Sequence, residues 1–311
     1  MLNTHPDAPR SAATTMGILA ILLWSSTIAI SRDLAEAVGA LRAGACLYLL
    51  GGTLGCLYVG LIRRRLFRMF RLPAPYLVGC GLLFVAYTVC LYVAIGLAAS
   101  RQQAIEVGVI NYLWPGLTLL LAVPILHAKV RAAFPLGVAM ALAGAALASL
   151  RWGEYSWAAL LENLRTNPWP YGLALVAAAA WALYSTLSRR WGGEAEGGAV
   201  PLFVLATGIV LAALHYAFPE PVAWTARAAA EILYMAALPT LLAYAFWDAA
   251  MRRGNVMLVA ALSYFTPLLS TLISSAYLRV ALGWNVWVAC ALVVAGAFVC
   301  QRSVVKLRPS S

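Results

Sequence analysis

The sequence predicts an all-α integral membrane protein with ten transmembrane helices, arranged as two inverted repeats of five helices. Three observations favour this fold class. The chain is 63% hydrophobic and only 11% charged, it contains ten long apolar segments, and its second half repeats residues of its first half. With a mean hydropathy of +0.84, the chain has too little polar surface to enclose one soluble core, so the bilayer must be its solvent.

The ten apolar segments have the length of membrane-spanning helices. A helical span needs roughly 20 mostly apolar residues. In chain order, the expected spans are 13–31, 39–62, 75–99, 104–126, 132–150, 168–188, 200–217, 228–250, 256–278 and 282–300. A membrane β-barrel would alternate apolar and polar residues, whereas Ala132–Leu150 is apolar on every face. The segments therefore predict helices.

The first apolar segment also permits a second interpretation, a cleaved signal peptide. Arg10 precedes the apolar run, and Ala35-Glu36-Ala37 resembles a cleavage site. We prefer the interpretation as a membrane span.

The basic residues predict the orientation of the chain. Loops rich in Lys and Arg remain in the cytoplasm. With a cytoplasmic N-terminus, 15 of the 22 basic residues fall on the cytoplasmic side: Arg10, Arg63, Arg64, Arg65, Arg68, Arg71, Lys129, Arg131, Arg189, Arg190, Arg252, Arg253, Arg302, Lys306 and Arg308. Both termini are therefore expected in the cytoplasm, in a multi-pass protein of the cell (inner) membrane.

The net charge of +11 does not by itself indicate a nucleic-acid partner. Its densest part, Arg63 to Arg71, lies in a short loop between two spans, where basic residues usually meet anionic lipid headgroups. The expected partners are the lipid bilayer and a small-molecule substrate, with no nucleic acid.

The sequence contains no pattern for a metal site, a cofactor or catalysis. The six cysteines lie in predicted spans, with no Cys-x-x-Cys pair and no clustered histidines. No carboxylate cluster or nucleophile–base pair is evident, so we expect no catalytic residue, no bound metal and no enzymatic activity.

An internal repeat relates the two halves at an offset of 152 residues. It pairs Tyr112 with Tyr264, Pro115 with Pro267, Thr118 with Ser270, Leu120 with Leu272, and Ala143-Gly144-Ala145 with Ala295-Gly296-Ala297. Nearer the start of each half, Trp24 matches Trp181 at an offset of 157. We expect one transmembrane domain made of two repeats, residues 1–150 and 151–311.

The repeat must be inverted in the membrane, because five spans per half is an odd number. An inverted pair offers two nearly equivalent arrangements, one open to each side of the membrane, as alternating access requires. A channel or a receptor needs no such symmetry.

Two prolines mark the candidate substrate site. Pro115 and Pro267 lie inside spans four and nine, where each removes one backbone donor and kinks the helix, freeing the carbonyl groups of Asn111 and Ser263. Thr118 shares a helical face with Asn111. Polar groups at this depth must face protein or a water-filled cavity, although hydroxyls also bond back to their own helix. Both interpretations of Thr118 remain open.

Aromatic side chains deep within the spans could stack against an aromatic ligand. The candidates for the cavity wall are Tyr87, Tyr92, Tyr112, Trp114, Trp181, Tyr184, Tyr244, Trp247 and Tyr264. Acidic residues are sparse, with Glu106, Glu231 and Asp248 near span ends. This composition suits a ligand that is neutral overall, including a zwitterion whose ammonium group could meet the Asn111 or Ser263 carbonyl.

At Ile110-Asn111-Tyr112-Leu113-Trp114-Pro115 the chain resembles the aromatic amino acid exporters of the drug/metabolite transporter superfamily (EamA-like). The resemblance implies ten helices in two inverted repeats, a central cavity, and efflux of aromatic amino acids or related amphipathic metabolites. Many members carry a glutamate after the fourth and ninth spans, where this chain has His127 and Arg279. A role for those glutamates therefore does not transfer to this chain.

Other functions remain as alternatives. A transporter of drugs or of other metabolites would use the same fold, and a channel would use similar helices. Substrate competition separates the first alternative from aromatic amino acid export, and saturable flux separates the second.

Overall fold

The computed structural model describes residues 8–149, 157–193, 198–220, 223–278 and 284–305. These residues form α-helices joined by short turns. Sixteen α-helices lie in the described ranges: α1 (Ala8–Ser25), α2 (Thr27–Val38), α3 (Ala40–Leu57), α4 (Leu66–Met69), α5 (Gly81–Gly96), α6 (Arg101–Asn111), α7 (Trp114–Leu126), α8 (Phe134–Ser149), α9 (Trp157–Thr166), α10 (Trp169–Trp191), α11 (Val200–Ala217), α12 (Ala226–Met235), α13 (Ala243–Arg253), α14 (Val256–Leu262), α15 (Phe265–Leu278) and α16 (Trp284–Ser303). The expected boundary between the repeats, at residues 150 and 151, lies outside these ranges.

Some of these helices are lengthened by π-helical segments: Tyr58–Ile62 extends α3, Pro75–Cys80 leads into α5, and Ala236–Leu242 joins α12 to α13. Within the described residues, seven helical stretches are long and apolar enough to cross a membrane: Ala40–Ile62, Pro75–Gly96, Gln102–Leu126, Trp169–Trp191, Val200–Ala217, Ala226–Arg253 and Val286–Ser303. Three shorter helices are also apolar, Ser11–Ser25, Phe134–Leu147 and Val256–Ser270. The protein is therefore an all-helical, multi-pass membrane protein.

The helix boundaries follow local sequence signals. Ser100 and Thr225 accept hydrogen bonds from the backbone N–H groups of Gln103 and Ala228, which caps the N-termini of α6 and α12. Gly39 lies between α2 and α3 with φ of +84°. Glycine suits this position because the backbone conformation is strained for other residues. Helix α9 was not among the expected spans; its ten residues are too few to cross the membrane.

The first helix is a packed part of the bundle, as a membrane span is expected to be. Helix α1 contacts α13, α14 and α15, and its residues Ala20 and Ile21 are buried.

Both prolines lie close to breaks between consecutive helices. Helix α6 ends at Asn111 and α7 begins at Trp114, directly before Pro115. Helix α14 ends at Leu262 and α15 begins at Phe265, two residues before Pro267. Proline is tolerated at the start of a helix, where its missing N–H would have no partner.

Glycines allow two helix pairs to approach closely. Helices α3 and α11 pack together, as do α8 and α16. A β-carbon added to Gly208 would lie 2.7 Å from the Tyr48 carbonyl carbon, and one added to Gly144 would lie 2.8 Å from the Ala289 carbonyl oxygen. In membranes the hydrophobic effect does not drive helices together, because lipid is as apolar as the helices. Small residues favour helix association there because they allow close van der Waals contact.

Candidate functional site

A cluster of aromatic rings fills the centre of the bundle, with Trp181 in the middle of it. Among the described residues, seven rings lie around the Trp181 ring; six of them have centroid separations of 4.6 Å to Tyr87, 4.9 Å to Tyr184, 5.5 Å to Tyr244, 5.8 Å to Phe84, 6.1 Å to Trp247 and 6.3 Å to Trp114. These distances are typical of interacting aromatic pairs. We call Trp181, these six residues and Trp24, which carries the seventh ring, the aromatic cage.

Helical periodicity explains how two helices supply half of the cage. Trp181 and Tyr184 are three residues apart on α10, and Tyr244 and Trp247 are three apart on α13, so each pair occupies one helical face. Helices α10 and α13 contact each other, which brings the two faces together. Six of the aromatic sequence candidates, on α5, α7, α10 and α13, thus meet in one place: Tyr87, Trp114, Trp181, Tyr184, Tyr244 and Trp247.

Two cage members were missed from the sequence. Trp24 on α1 lies 5.8 Å from Trp181 and 5.3 Å from Tyr244, and Phe84 on α5 lies 4.8 Å from Tyr244. The repeat carried a usable signal for Trp24, because it matches Trp181 at an offset of 157. Phe84 carried no signal that separates it from an ordinary packing residue.

Several polar atoms of the cage are hydrogen-bonded to residues around it. The Trp24 indole N–H donates to the Pro239 carbonyl at 3.0 Å, and the Trp247 indole N–H donates to Ser185 Oγ at 3.1 Å. The Tyr244 hydroxyl shares a hydrogen bond of 2.8 Å with the Tyr48 hydroxyl. Such a site can bind an aromatic or apolar group by stacking.

A charged group lies at one end of the cage. Asp248 and Arg252 are both buried, with Arg252 Nε donating to Asp248 Oδ2 at 2.8 Å. The Tyr76 and Tyr184 hydroxyls donate to Asp248 Oδ1 at 2.8 and 3.2 Å. Our sequence interpretation left Asp248 near a span end without a role. The sequence feature that could have identified Asp248 is its spacing of four residues from Arg252, which puts both side chains on one helical face and predicts an ion pair.

Other sequence candidates lie away from the ring cluster. Tyr264 is buried in a separate apolar cluster with Leu119 and Phe134, where its hydroxyl lies over Gly116. Tyr92 reaches the cage only through Tyr48, at a centroid separation of 6.1 Å. Tyr112 is half-buried at the end of α6.

The hydroxyls of Thr118 and Ser263 bond back to their own helices in this conformation. Thr118 Oγ1 donates to the Trp114 carbonyl at 2.7 Å, and Ser263 Oγ donates to the Ala260 carbonyl at 2.6 Å. The Ser263 carbonyl accepts a hydrogen bond from the Thr266 N–H at 3.0 Å. At the other break, Asn111 Oδ1 accepts no hydrogen bond from the described residues. Asn111 and Tyr264 are thus the sequence candidates with a buried polar atom that has no hydrogen-bond partner among the described residues.

Comparisons with known proteins cover nearly the whole chain. The EamA-like transporter family matches residues 168–301. A protein named aromatic amino acid exporter YddG from Escherichia coli K12 is 34% identical over 291 residues, which are 94% of this chain and 97% of the relative. A protein of the same name from Ancylobacter novellus is 35% identical over 295 residues, 93% of this chain and 97% of the relative. A solved crystal structure of a protein 32% identical to this one covers 94% of this chain and 98% of the other, with a TM-score of 0.78.

Proposed function

Because this chain belongs to the EamA-like transporter family, we propose that it exports aromatic amino acids and related small amphipathic metabolites by alternating access. The observation that carries the proposal is the aromatic cage, centred on Trp181 and buried in a multi-pass helical bundle. Ring faces in a buried site attract an aromatic side chain, and the relatives described above are named for aromatic amino acid export.

We infer that the ten apolar helical segments are ten spans in two inverted repeats. Helices α8 and α16 support this inference through glycines that match at an offset of 152. A β-carbon on Gly144 would meet Ala289 and Val293, and one on Gly296 would meet the positions that match them, Gly137 and Ala141. Such reciprocal contacts are expected of two segments related by a twofold axis.

The cage itself has the same reciprocity at an offset of 157. Tyr87 lies 4.6 Å from Trp181, and the matching residues Tyr244 and Trp24 lie 5.3 Å apart. The Trp24 and Trp181 rings contact each other at 5.8 Å, so a pseudo-twofold axis would pass between them. Substrate sites of inverted-repeat transporters lie at this type of interface, which supports the cage as the substrate site.

The proposed repeats are residues 1–150 and 151–311 of one transmembrane domain. The match to the EamA-like family, over residues 168–301, falls within the second of them. Arg189 and Arg190 end α10, and Arg252 and Arg253 end α13. These positions favour cytoplasmic loops after both helices, which agrees with cytoplasmic termini in the inner membrane.

We propose that the substrate cavity is lined by the cage and by the two helix breaks. Alternating access would rearrange both parts, because the rings contact one another in the conformation described here. The proposed substrate-binding set keeps all the sequence candidates, Tyr87, Tyr92, Asn111, Tyr112, Trp114, Thr118, Trp181, Tyr184, Tyr244, Trp247, Ser263 and Tyr264, and adds Trp24 and Phe84.

Flux into proteoliposomes tests the proposal. We expect saturable transport of labelled phenylalanine and tryptophan that unlabelled aromatic amino acids block and an aliphatic amino acid does not. Trp114→Ala should raise the KM about 10-fold or more, because a lost aromatic contact is worth about 1 kcal/mol beyond the lost buried area. Trp169→Ala is the matched control, since the Trp169 side chain is exposed at the start of α10.

Each outcome has a clear meaning. Non-saturable flux would contradict a transporter and favour a channel. Flux of drugs or other metabolites without flux of aromatic amino acids would contradict the proposed substrate class on the same fold. An equal loss in Trp114→Ala and Trp169→Ala would contradict the cage as the binding site.

A further inference from the structure

The Asp248–Arg252 ion pair is buried, and binding of a substrate by aromatic stacking alone does not explain its presence. Its two side chains are 1% and 2% exposed. Replacing a buried ion pair by apolar residues is often neutral or stabilising, so such a pair is weak evidence of a structural role. Within a membrane span, an ionisable residue indicates function by default.

The ion pair also breaks the symmetry between the two halves. At the offset of 157 that relates Tyr87 to Tyr244, Asp248 corresponds to Leu91 and Arg252 to Ile95. The same helical position in the first half is therefore filled by apolar side chains. The scaffold does not require charges here, and they give the cage one polar end and one apolar end.

The polar end is continuous with the ring cluster. Tyr184 joins the two, because its ring lies 4.9 Å from the Trp181 ring while its hydroxyl donates to Asp248 Oδ1. On α13, Tyr244, Asp248 and Arg252 follow at intervals of four residues and so share one face. A ligand with an aromatic ring and adjacent opposite charges matches this arrangement.

We propose that Asp248 and Arg252 bind the α-ammonium and α-carboxylate groups of the substrate, whose ring lies among the rings of the cage. The inference rests on the proposed export of aromatic amino acids and identifies the part of the site that recognises the zwitterion. When the substrate binds, the Asp248–Arg252 ion pair gives way to two new ion pairs, Asp248 with the ammonium group and Arg252 with the carboxylate. No buried charge is therefore left unpaired. Bidentate guanidinium–carboxylate pairing gives this recognition its geometry.

The surroundings of the ion pair fit the side from which an exporter takes up its substrate. Arg252 Nη1 donates to the Gly192 carbonyl at 3.3 Å, and Arg189 Nη1 donates to the Arg252 carbonyl. Arg189 and Arg252 are among the residues that predict the cytoplasmic face. In the conformation described here, Asp248 and Arg252 are buried at the cytoplasmic end of the cage. They stay paired with each other until a zwitterion takes the place of this pairing.

Three labelled compounds test the proposal in proteoliposomes: L-phenylalanine, phenethylamine, which lacks the carboxylate, and 3-phenylpropionate, which lacks the ammonium group. We expect Arg252→Gln to lower the phenylalanine-to-phenethylamine flux ratio, and Asp248→Asn to lower the phenylalanine-to-phenylpropionate ratio. Each change should be about 10-fold or more, the value of one charged hydrogen bond. The two variants thus shift selectivity in opposite directions.

The double variant Asp248→Asn, Arg252→Gln keeps the test valid if a single variant fails to fold, because it leaves no unpaired buried charge. It should raise the KM for phenylalanine about 10-fold or more beyond the rise for either analogue, because phenylalanine loses two charged contacts and each analogue loses one. The control is Arg227→Gln, Glu231→Gln, which removes an ion pair of the same spacing whose arginine is exposed. The control should transport all three compounds as the wild type does.

The outcomes separate this inference from the proposed function. Equal losses of all three compounds in the variants, or an unchanged KM for phenylalanine in the double variant, would overturn the zwitterion site while leaving aromatic amino acid export intact. A wild-type protein that carries no aromatic amino acid would overturn the proposed function itself, and the inference with it.

Discussion

At the scale of single residues, hydrogen-bond partners distinguish buried acidic side chains that look alike in the sequence. Glu106 is buried in the middle of α6 and accepts hydrogen bonds from Tyr171 and Gln102. Asn163 Nδ2 also donates to it, at 3.4 Å. Because Tyr171 belongs to α10 and Asn163 to α9, this one carboxylate connects three helices. We therefore assign Glu106 to stability and Asp248 to the substrate site.

Replacing Glu106 tests this assignment. Glu106→Ala removes the acceptor of a buried tyrosine hydroxyl, which should cost about 1–3 kcal/mol of stability. Glu106→Gln should cost less, because its amide oxygen still accepts a hydrogen bond. The measurement is thermal unfolding in detergent, with the exposed Glu162→Ala as control. A melting temperature of Glu106→Ala equal to that of the control would contradict the assignment.

At the scale of helices, close packing depends on positions that have no side chain. Gly208 on α11 lies against the backbone of Tyr48 and Leu49 on α3, and Gly52 lies against the backbone of Leu205 in return. Gly172 on α10 is also helical, but a β-carbon there would meet nothing within 4 Å. The two kinds of glycine cannot be told apart by composition.

The substitution Gly208→Ala should lower the free energy of unfolding by about 1–3 kcal/mol, because the added methyl group forces the helices apart. Gly172→Ala should be neutral or stabilising by about 0.5–1 kcal/mol, since alanine favours the helix. Thermal unfolding of both variants in the same detergent measures the difference. Equal melting temperatures would show that α3 and α11 separate without cost.

At the scale of the whole molecule, the orientation proposed from the basic residues has direct consequences. Arg68, in α4, should face the cytoplasm, and Thr166, at the end of α9, should face the opposite side. Both side chains are exposed, so a cysteine placed there can react. We expect Thr166→Cys to react with a membrane-impermeant maleimide on intact spheroplasts, and Arg68→Cys only after permeabilisation.

This labelling is measured in a protein whose six native cysteines are replaced by alanine. Labelling of Arg68→Cys on intact spheroplasts, with Thr166→Cys labelled only after permeabilisation, would contradict cytoplasmic termini. It would also reverse the proposed direction of transport. Labelling of both positions on intact spheroplasts would contradict an odd number of spans between them.

The sequence by itself determined the membrane class, the apolar helical segments, the two helix breaks and most of the rings that form the cage. These features follow from local composition and periodicity, because every lipid-exposed span must be apolar and satisfy its own backbone hydrogen bonds. Helix α9 and the exact ends of the helices were not predicted, since short amphipathic segments and helix ends depend on neighbouring contacts.

Only the tertiary structure decided which polar and aromatic side chains meet. Trp24 and Trp181 are far apart in the chain yet in ring contact, Tyr264 lies in a different cluster from them, and Asp248 faces two tyrosine hydroxyls and an arginine rather than lipid. Helical periodicity gives the face of a helix on which a residue lies. The packing of that face against distant segments determines whether a ring or a charge becomes part of a binding site.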